Sequence, residues 1–402
     1  MSGPLAGIRV LDMTSVLMGP YATSILGDMG ADVVKLESPE GDLIRQVGPS
    51  RGGTMGGMFM HANRSKRSIA VDLKQAAGRD VALALARTAD VLVYNLRPQA
   101  MERLGLGYEA VAAARADIVY VGTFGFGQDG PYAAKPAYDD LVQGLCAVPA
   151  LIADAGDGTP RYAPINIADR VVGLHALAAI LAALRHRDRT GQGQRIDIPM
   201  FETMASFVLG DHLGGLSYDP PLDGGGYARL LAPDRRPFRT ADGYLCAVIY
   251  TDRHWQRFME IAGRKDWRGD PRFASHASRT RHMAEIMTAI AAIFAGRPTA
   301  DWERLLSEAD IPHARMHTLE SLLRDPHLAE VGFFPVSEHA SEGRVRTMRV
   351  ASRWSASQPA PGRAAPRFGE HGRDVLREAG YAEETIEQFI AAGIVAGLEP
   401  EP

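Results

Sequence analysis

The N-terminal half of the chain alternates short apolar runs, rich in β-branched residues, with stretches of helical periodicity. This alternation predicts parallel strands joined by helices that cover both faces of one sheet, an open α/β architecture. Ligands of such sheets bind beyond the carboxyl ends of the strands, so we expect a site in the loops 13–20, 37–45, 95–103 and 122–138. The predicted strands are 8–12, 32–36, 68–73, 90–94, 117–121 and 195–199, and the intervening helices include 21–30, 75–89 and 108–116.

The C-terminal half changes in character along its length. A long helix is predicted over 165–187, and a stretch rich in glycine, proline and arginine over 217–239 reads as a linker or functional loop. A second unit then begins, and after about residue 324 short strands return before a final helical pair. The predicted elements are strands at 244–250, 333–336 and 345–350 and helices at 252–262, 280–295 and 299–309.

Composition favours an enzyme of the cytoplasm. The 402 residues carry 44 lysines and arginines against 48 aspartates and glutamates, a formal net charge of −4, which argues against a dedicated nucleic-acid binder. Cys146 and Cys246 lack metal-site spacing and are expected to be core thiols. The N-terminus has no signal-peptide pattern. The longest apolar run, 171–184, is too short for a membrane span and predicts a buried core helix.

Two short motifs are weak. Residues 125–130 read GFGQDG after a predicted strand, but a proline follows, and the next acids, Asp139 and Asp140, come too soon for a dinucleotide fingerprint. A tight glycine turn under a ligand is the better interpretation. His313 and His317 lie four residues apart, yet no glutamate stands between them, so a metal site is not expected.

Three features remain open from spacing alone. Four cations near strand ends suit a polyanionic cofactor or a solvated surface. Asp169, at the start of the most apolar helix, is either an acid stabilised by the helix dipole or a nucleophile toward an activated acyl group. Residues 224–226 are three glycines, a hinge or a mobile lid. The cations are Arg45, Arg97, Arg103 and Lys135.

Several longer motifs occur in order across nearly the whole chain. They are 8–12 (IRVLD), 18–22 (MGPYA), 26–37 (LGDMGADVVKLE), 63–74 (NRSKRSIAVDLK), 95–98 (NLRP), 138–139 (YD), 190–194 (TGQGQ) and 238–244 (FRTADGY). In these motifs the chain resembles the class III CoA-transferases, which include formyl-CoA:oxalate and carnitine CoA-transferases and are related to the α-methylacyl-CoA racemases.

The resemblance implies transfer of CoA from an acyl-CoA to a free carboxylic acid, with Asp169 as the nucleophile. Its carboxylate would form an aspartyl-acyl anhydride and then an aspartyl-CoA thioester. Gly224, Gly225 and Gly226 match the family's glycine-rich loop, which favours the lid interpretation. Asp139, preceded by Tyr138, matches an acid near the reacting centre. No tightly bound cofactor and no metal are expected, since acyl-CoA is a substrate.

The resemblance also implies which residues contact CoA. Formyl-CoA transferase has an arginine at the position of Ser38 and a phenylalanine at that of Leu96, and Arg45 is our candidate to replace the missing cation. It has a glutamine at the position of Leu17, and the apolar residue here favours a larger organic acid than formate or oxalate, namely a short dicarboxylic acid or a branched acid. Arg229, Arg235 and Arg236 are candidates to bind a second carboxylate. The implied CoA contacts are Val16, Arg45, Leu73, Asn95, Leu96, Arg97, Arg103 and Lys135.

The fold implied by the family is a large doubly wound, Rossmann-like domain formed by both chain ends, a small α+β domain, and an interlocked homodimer. We accordingly predict the large domain at 1–215 and 326–402, a linker with the glycine-rich loop at 216–240, and the small domain at 241–325.

The main alternative is an α-methylacyl-CoA racemase on the same scaffold, which needs a second acid or base. The racemases carry a histidine at the position of Tyr138. They also have a glycine-rich run directly after the catalytic aspartate, whereas Arg170, Val171 and Val172 follow Asp169 here. Both differences favour the transferase. A catalytically silent CoA-binding protein is disfavoured because Asp169 is present. The identities of donor and acceptor are not determined by the sequence.

Overall fold

The computed structural model describes residues 3–397, and this part of the chain contains twelve strands. They are β1 (Arg9–Met13), β2 (Asp32–Glu37), β3 (Lys66–Val71), β4 (Val91–Tyr94), β5 (Val119–Phe124), β6 (Gln194–Pro199), β7 (Phe238–Arg239), β8 (Tyr244–Ala247), β9 (His313–Arg315), β10 (Val336–His339), β11 (Gly343–Arg346) and β12 (Val395–Ala396).

Eighteen α-helices are found in the same part of the chain. They are α1 (Met18–Asp28), α2 (Gly57–Ala62), α3 (Ala76–Thr88), α4 (Pro98–Arg103), α5 (Tyr108–Ala114), α6 (Asp139–Leu145), α7 (Val148–Asp154), α8 (Ile167–Thr190), α9 (Met200–His212), α10 (Ala228–Leu231), α11 (Asp252–Ile261), α12 (His276–Arg281), α13 (Met283–Phe294), α14 (Thr299–Glu308), α15 (Leu319–Leu322), α16 (Pro326–Glu330), α17 (Gly372–Glu378) and α18 (Glu383–Ala391).

Seven strands form one large sheet in the order β12-β3-β2-β1-β4-β5-β6. β1 to β6 run parallel, and only the short β12 pairs antiparallel, with β3. The predicted mixed α/β fold with a parallel sheet is therefore confirmed. The chain order reverses between β1 and β4, which are neighbours, and ligands of such sheets bind beyond the carboxyl ends of the strands at that point.

Alternate residues of the central strands serve the two faces of the sheet, as strand geometry requires. Leu11 and Leu92 belong to a core that α3, α5, α17 and α18 complete. The opposite face carries α1, which contacts β1 and β2 and packs along α8. Because both faces are covered, the strands are almost continuously buried, which is why they are visible in the sequence as apolar runs.

The chain divides into two compact units. The first takes the chain up to Val142, then Ile165–Ala205, and the chain from Pro326 onward, and it contains the large sheet. The second takes Gln143–Pro164 and Ser206–Asp325. Its antiparallel sheet has the order β7-β8-β9, beside an aromatic core in which Phe238 stacks on Phe294 with ring centroids 4.5 Å apart.

The unit boundaries differ from those that we predict from the sequence. We place 143–164 and 206–215 in the large domain and treat 216–240 as a linker. In the structure all three stretches cluster with the second unit. The contacts of α10, which packs against α7, α12 and α13, account for this difference, because they join segments that lie far apart in the chain.

Several predicted strands have other bounds in the structure. The strands predicted at 68–73, 117–121 and 345–350 are shifted by two or more residues, to β3, β5 and β11. The strand predicted at 333–336 begins only at Val336, because Pro335 has no N–H group for a sheet ladder. The strand predicted at 244–250 ends at Ala247, where its partner β9 begins at His313, after Pro312.

Helix α8 is less buried than the predicted core helix. One face, including Val172, Ala176 and Ile180, is buried, whereas Leu174 is 48% exposed. By length and composition alone α8 passes the test for a membrane-crossing helix, a test that core helices of soluble proteins also pass. The sequence pattern detected its apolar character but not the side on which it stays exposed.

Candidate active site

A cavity of about 250 Å³ lies beyond the carboxyl ends of β1, β4 and β5, at the point where the strand order reverses. It is formed by the loops after these strands and by the N-terminal turn of α8. Eight residues predicted from the sequence line it together. The lining residues are Ser15, Val16, Leu17, Met18, Asn95, Arg97, Thr123, Phe124, Gly125, Lys135, Pro136, Ala137, Tyr138, Asp139, Asp169 and Met200.

Asp169 lies in the first turn of α8, where the backbone N–H groups of a helix have no partner within the helix. The carboxylate of Asp139, at the start of α6, supplies that partner: its Oδ1 accepts a hydrogen bond of 3.0 Å from the backbone N–H of Asp169. Asp139 is only 8% exposed. The two acids are thus held close together, and Asp139 fixes the turn that carries Asp169.

This environment changes the acidity of Asp169. Burial raises the pKa of its carboxyl group, the neighbouring Asp139 raises it further, and Arg170 partly opposes both, so that the pKa is about 7. The guanidinium of Arg170 stacks over the ring of Tyr21 at 4.3 Å. A carboxyl group of this kind, lining a cavity, is typical of functional sites. Near neutral pH a large fraction of this group is therefore ionised, although it is largely buried.

The raised pKa of Asp169 leads to a testable pH dependence. If its carboxylate is the nucleophile, kcat/KM for an acyl-CoA donor should rise with pH below 7 and level off above it, with an apparent pKa of about 7. Asp139→Asn keeps an oxygen that can accept the hydrogen bond but removes the negative charge. We expect its profile to move to lower pH, while that of Asp140→Asn, at the next and exposed position, stays in place. Identical profiles for all three proteins would contradict the electrostatic coupling.

The loop after β1 is held in an unusual conformation. Val16 has φ of +67°, a region that β-branched residues rarely adopt. Its backbone N–H donates to Asp42 Oδ1 at 3.1 Å. The side chain of Asn95 makes two hydrogen bonds with the backbone of Ser15, accepting from its N–H and donating to its carbonyl oxygen. Asn95, predicted as a CoA contact, thus joins the loops after β1 and β4.

A buried network of charges supports the same loop. Lys66 and Asp12 are fully buried and 2.8 Å apart, and the Lys66 ammonium also donates to Pro20 O and Asn63 Oδ1. Burial by itself would raise the pKa of Asp12, but Lys66 and Lys35 outweigh that effect and hold the pKa at about 2. Burial lowers the pKa of Lys66 to about 8 although Asp12 opposes this effect, so the pair is mostly charged at pH 7.

A second buried ion pair lies beside the first. Lys35 and Asp42 are 2.9 Å apart, and Lys35 also donates to the carbonyl oxygen of Thr14. Burial by itself would lower the pKa of Lys35, but Asp42 and the other nearby carboxylates raise it above its usual value. Since Asp42 also holds Val16, this pair ties the loop after β1 to the strands beneath it.

A neighbouring cavity of about 360 Å³ shares Ser15 with the first. It holds three of the positions considered from the sequence: Ser38, Leu73 and Leu96. It also contains Lys74, which we did not single out and which forms a 3.4 Å, solvent-exposed ion pair with Glu40. The available signal was its position directly after the strand predicted at 68–73, in a loop that we did not include among the expected ligand-binding loops.

Four groups of predicted site residues lie elsewhere or are engaged. Arg45 is 4% exposed, and its donors go to both oxygens of Glu37 and to Pro366 O, so our assignment of it to a CoA phosphate is wrong for this structure. Leu17 is among the residues that line the first cavity, but it is fully buried. Arg103 is exposed and lines neither cavity. The glycines 224–226 and the arginines Arg229, Arg235 and Arg236 belong to the second unit, where Arg236 pairs with Asp234 at 2.8 Å.

The glycine-rich loop at 224–226 is tied back on its own unit. The N–H of Gly226 donates to His212 O at 2.8 Å, and Asp223 accepts from the N–H groups of Gly215 and Gly225. Gly225 and Gly226 have φ of +75° and +85°, which favour glycine.

Neither of the two weak motifs, 125–130 and the pair His313 and His317, lies on a helix in the structure. Residues 125–130 form a loop with turns, and the next helix starts only at Asp139. His313 begins β9, and His317 lies beyond the end of that strand, so the two do not share a helix face. Within residues 3–397, no group of three or more histidine, cysteine, aspartate or glutamate residues is arranged to hold a metal ion.

The family model and two relatives that match nearly the whole chain are described as CoA-transferases. A family model described as CoA-transferase family III matches residues 5–372. The succinate–glutarate CoA-transferase of Agrobacterium fabrum is 33% identical over 402 residues, covering 96% of this chain and 97% of that protein. The succinyl-CoA:mesaconate CoA-transferase of Haloarcula hispanica is 33% identical over 398 residues, covering 95% and 98%. The crystal structure of Rv3272 from M. tuberculosis matches with a TM-score of 0.79 at 29% identity, covering 92% of this chain and 98% of that one.

Proposed function

The chain belongs to CoA-transferase family III, and we propose that it moves CoA from succinyl-CoA to a second short dicarboxylic acid through covalent intermediates on Asp169. The observation that carries this proposal is the half-buried carboxyl group of Asp169, which lines a cavity at the edge of the sheet and has a pKa of about 7. The choice of dicarboxylic acids rests on relatives whose names specify succinate, glutarate and mesaconate.

The proposed chemistry is two acyl exchanges. A carboxylate oxygen of Asp169 attacks the thioester carbonyl of the donor, the C–S bond breaks, and CoA leaves as the thiolate. The thiolate attacks the Asp169 carbonyl of this anhydride, the donor acid leaves as a carboxylate, and an aspartyl-CoA thioester remains. The acceptor carboxylate then displaces CoA to give a second anhydride. The thiolate attacks the acceptor's carbonyl carbon and regenerates the Asp169 carboxylate.

The surroundings of Asp169 suit these steps. The N-terminal end of α8 carries partial positive charge, which stabilises the oxyanion that develops at the carbonyl of the aspartyl intermediates. The buried Asp139 holds the backbone of Asp169 in place and raises its pKa. Exclusion of water matters because hydrolysis of either anhydride would waste the thioester.

The two neighbouring cavities provide space and charge for CoA. Arg97 and Lys135 are exposed cations at the first cavity, and Lys74 is one at the second. We propose that they bind the phosphate groups of CoA, because all three are exposed at a cavity, whereas Arg45 is buried against Glu37. The ion pair of Lys74 with Glu40 is open to solvent and can be exchanged for a phosphate. The backbone of Ser15 and Val16, clamped by Asn95 and Asp42, forms the link between the two cavities.

A transfer assay tests the proposal directly. Purified protein is incubated with succinyl-CoA and, in separate reactions, glutarate, mesaconate, oxalate or a monocarboxylic acid, and the acyl-CoA products are identified by mass spectrometry. We expect glutaryl-CoA or mesaconyl-CoA to form with release of succinate, and little product from oxalate. Net hydrolysis of succinyl-CoA with every acid would contradict the proposal.

The racemase alternative lacks its expected partner in the cavity. Racemisation needs a second acid or base across the α-carbon from the first, and the residues that line the cavity include no histidine. The position before Asp139 holds Tyr138, which is 65% exposed. Incorporation of solvent deuterium at the α-carbon of a 2-methylacyl-CoA, without any acceptor acid, would support the racemase instead.

We further propose that the chain forms a homodimer, as the resemblance implies. Leu174, Ala178 and Ala182 repeat at intervals of four on α8 and are exposed, so they present an apolar stripe that a second copy would cover. Light scattering should therefore give twice the mass of one chain. Leu174→Glu should shift the protein toward the monomer, and Asp188→Lys, an exposed polar position near the end of the same helix, should not. A wild-type monomer would overturn this proposal.

A further inference from the structure

The second unit contains an unusual buried cation. The guanidinium of Arg279, on α12, is 4% exposed. One terminal nitrogen donates to Phe273 O at 3.0 Å and the other binds Asp252. Its Nε is the one buried side-chain nitrogen or oxygen in residues 3–397 that has no hydrogen-bond partner. Leaving a buried donor unpaired is unfavourable, so this nitrogen calls for an explanation.

Arg279 lines a cavity of about 40 Å³ that lies wholly within the second unit. The cavity lies between β8, the segment that follows it, and helices α10 to α13. Two of the residues that line it, Val248 and Tyr250, are 43% and 46% exposed. The lining residues are Arg229, Phe238, Ala247, Val248, Ile249, Tyr250, Trp255, His276, Arg279, Met283, Met287 and Ile290.

The charge of this lining is one-sided. It includes two guanidinium groups, from Arg229 and Arg279, and the imidazole of His276, and it includes no carboxylate. Arg229 lies over the ring of Tyr250 at 5.4 Å, and His276 meets the same ring edge-on at 5.4 Å. The remaining wall is apolar, with Met283, Met287 and Ile290 on one helix, α13.

We propose that this cavity binds the carboxylate of a short aliphatic acid. The guanidinium group of Arg229 and the unpaired Nε of Arg279, whose terminal nitrogen already binds Asp252, favour an anion, and the methionine and isoleucine wall favours an apolar chain. A volume of about 40 Å³ holds roughly three water-sized groups, which suits a carboxylate and one or two carbon atoms. The carboxylate would accept from Arg279 Nε and from Arg229, which satisfies the unpaired donor with a charge-assisted hydrogen bond. The proposal does not depend on the role of Asp169.

Methionine methyl groups in the wall provide a local probe. The full chain is labelled with ¹³C at its fifteen methionine methyl groups, and the signals of Met283 and Met287 are assigned with Met283→Leu and Met287→Leu. Sodium propionate is titrated, with propionamide as the uncharged analogue and inorganic phosphate as a larger anion. We expect both signals to shift saturably with propionate and not with propionamide or phosphate.

Two variants separate recognition of charge from general effects. Arg229→Gln should weaken propionate binding about tenfold, the loss expected for one charge-assisted hydrogen bond. Arg253→Gln removes an exposed arginine of the same unit, which pairs with Asp310 outside the cavity, and should bind as the wild type does. Absence of any shift, equal shifts with propionamide, equal shifts with phosphate, or unchanged binding by Arg229→Gln would each overturn the proposal.

Discussion

Replacing Asp169 by alanine or asparagine is expected to lower the rate of CoA transfer by about 10⁴-fold or more, since removing the nucleophile of a covalent mechanism removes every step that passes through it. Affinity for CoA should stay within about threefold, because Asp169 is one of many residues around the two cavities. Asp188→Asn changes an exposed acid on the same helix and should retain wild-type turnover. Turnover is followed by mass spectrometry and CoA binding by calorimetry. Transfer that survives in both Asp169 variants would rule out the proposed mechanism.

Loss of activity in these variants should not come from unfolding. The pKa of Asp169 is about 7 in the folded chain and about 3.9 in an unfolded one. The folded protein thus binds this proton more tightly, so Asp169 lowers stability as pH rises from about 4 to 7, by an amount on the order of 2 kcal/mol once its partial exposure is considered. Asp169→Asn should therefore unfold at an equal or higher temperature than the wild type at pH 8, with the difference disappearing near pH 4.

Trapping can locate the intermediate. Hydroxylamine added together with an acyl-CoA donor should inactivate the wild type by converting the activated Asp169 carbonyl to a hydroxamate, which mass spectrometry of the peptide identifies. Hydroxylamine without donor should leave activity intact. A hydroxamate on Asp139 instead would show that Asp139, and not Asp169, is the nucleophile.

Replacing Lys66 by methionine is expected to lower the free energy of unfolding by about 3–5 kcal/mol, because it leaves the carboxylate of Asp12 buried without the cation that it contacts. The side chain of methionine is similar in length, so the change removes charge and hydrogen bonds more than volume. Urea unfolding followed by circular dichroism measures the difference. An unchanged urea midpoint of unfolding would mean that Lys35 alone is enough to stabilise the buried negative charge of Asp12.

Lys74→Met is the matched control, because the Lys74–Glu40 pair is 3.4 Å apart but exposed to solvent on both sides. Exposed ion pairs contribute about 0–1 kcal/mol, so its unfolding midpoint should hardly move. If Lys66→Met fails to fold, Asn63→Ala offers a milder test. It removes one of the three acceptors of the Lys66 ammonium and should cost about 1–3 kcal/mol.

Much of the large sheet was predictable from the sequence. β1, β2, β4 and β6 lie within a residue or two of the predicted strands. β1, β2 and β4 are covered on both faces and bury nearly every side chain, which leaves a direct apolar signal, whereas β6 at the edge of the sheet is only partly buried. The expectation of a site beyond the strand ends follows from the same topology, and the cavity that contains Asp169 lies there.

The role of individual charges was less predictable. Arg45 and Arg97 both follow strands and are alike in the sequence, but only Arg97 lines a cavity. The guanidinium of Arg45 donates hydrogen bonds to the carboxylate of Glu37 and to the carbonyl oxygen of Pro366, which is 321 residues away in the chain. Asn95, predicted to contact CoA, lines the cavity, but its side-chain amide forms two hydrogen bonds with the backbone of Ser15.

The sequence by itself determined the strands, the family and the identity of the candidate nucleophile, because local burial patterns and ordered motifs record these directly. Only the tertiary structure decided that Asp139 caps the turn of Asp169 and raises its pKa, that Arg45 is unavailable, and that residues 143–164 join the second unit. The physical reason is common to all three. The properties of a charged or polar group depend on burial and on the partners that folding brings within hydrogen-bonding distance, and residues far apart in the chain supply those partners.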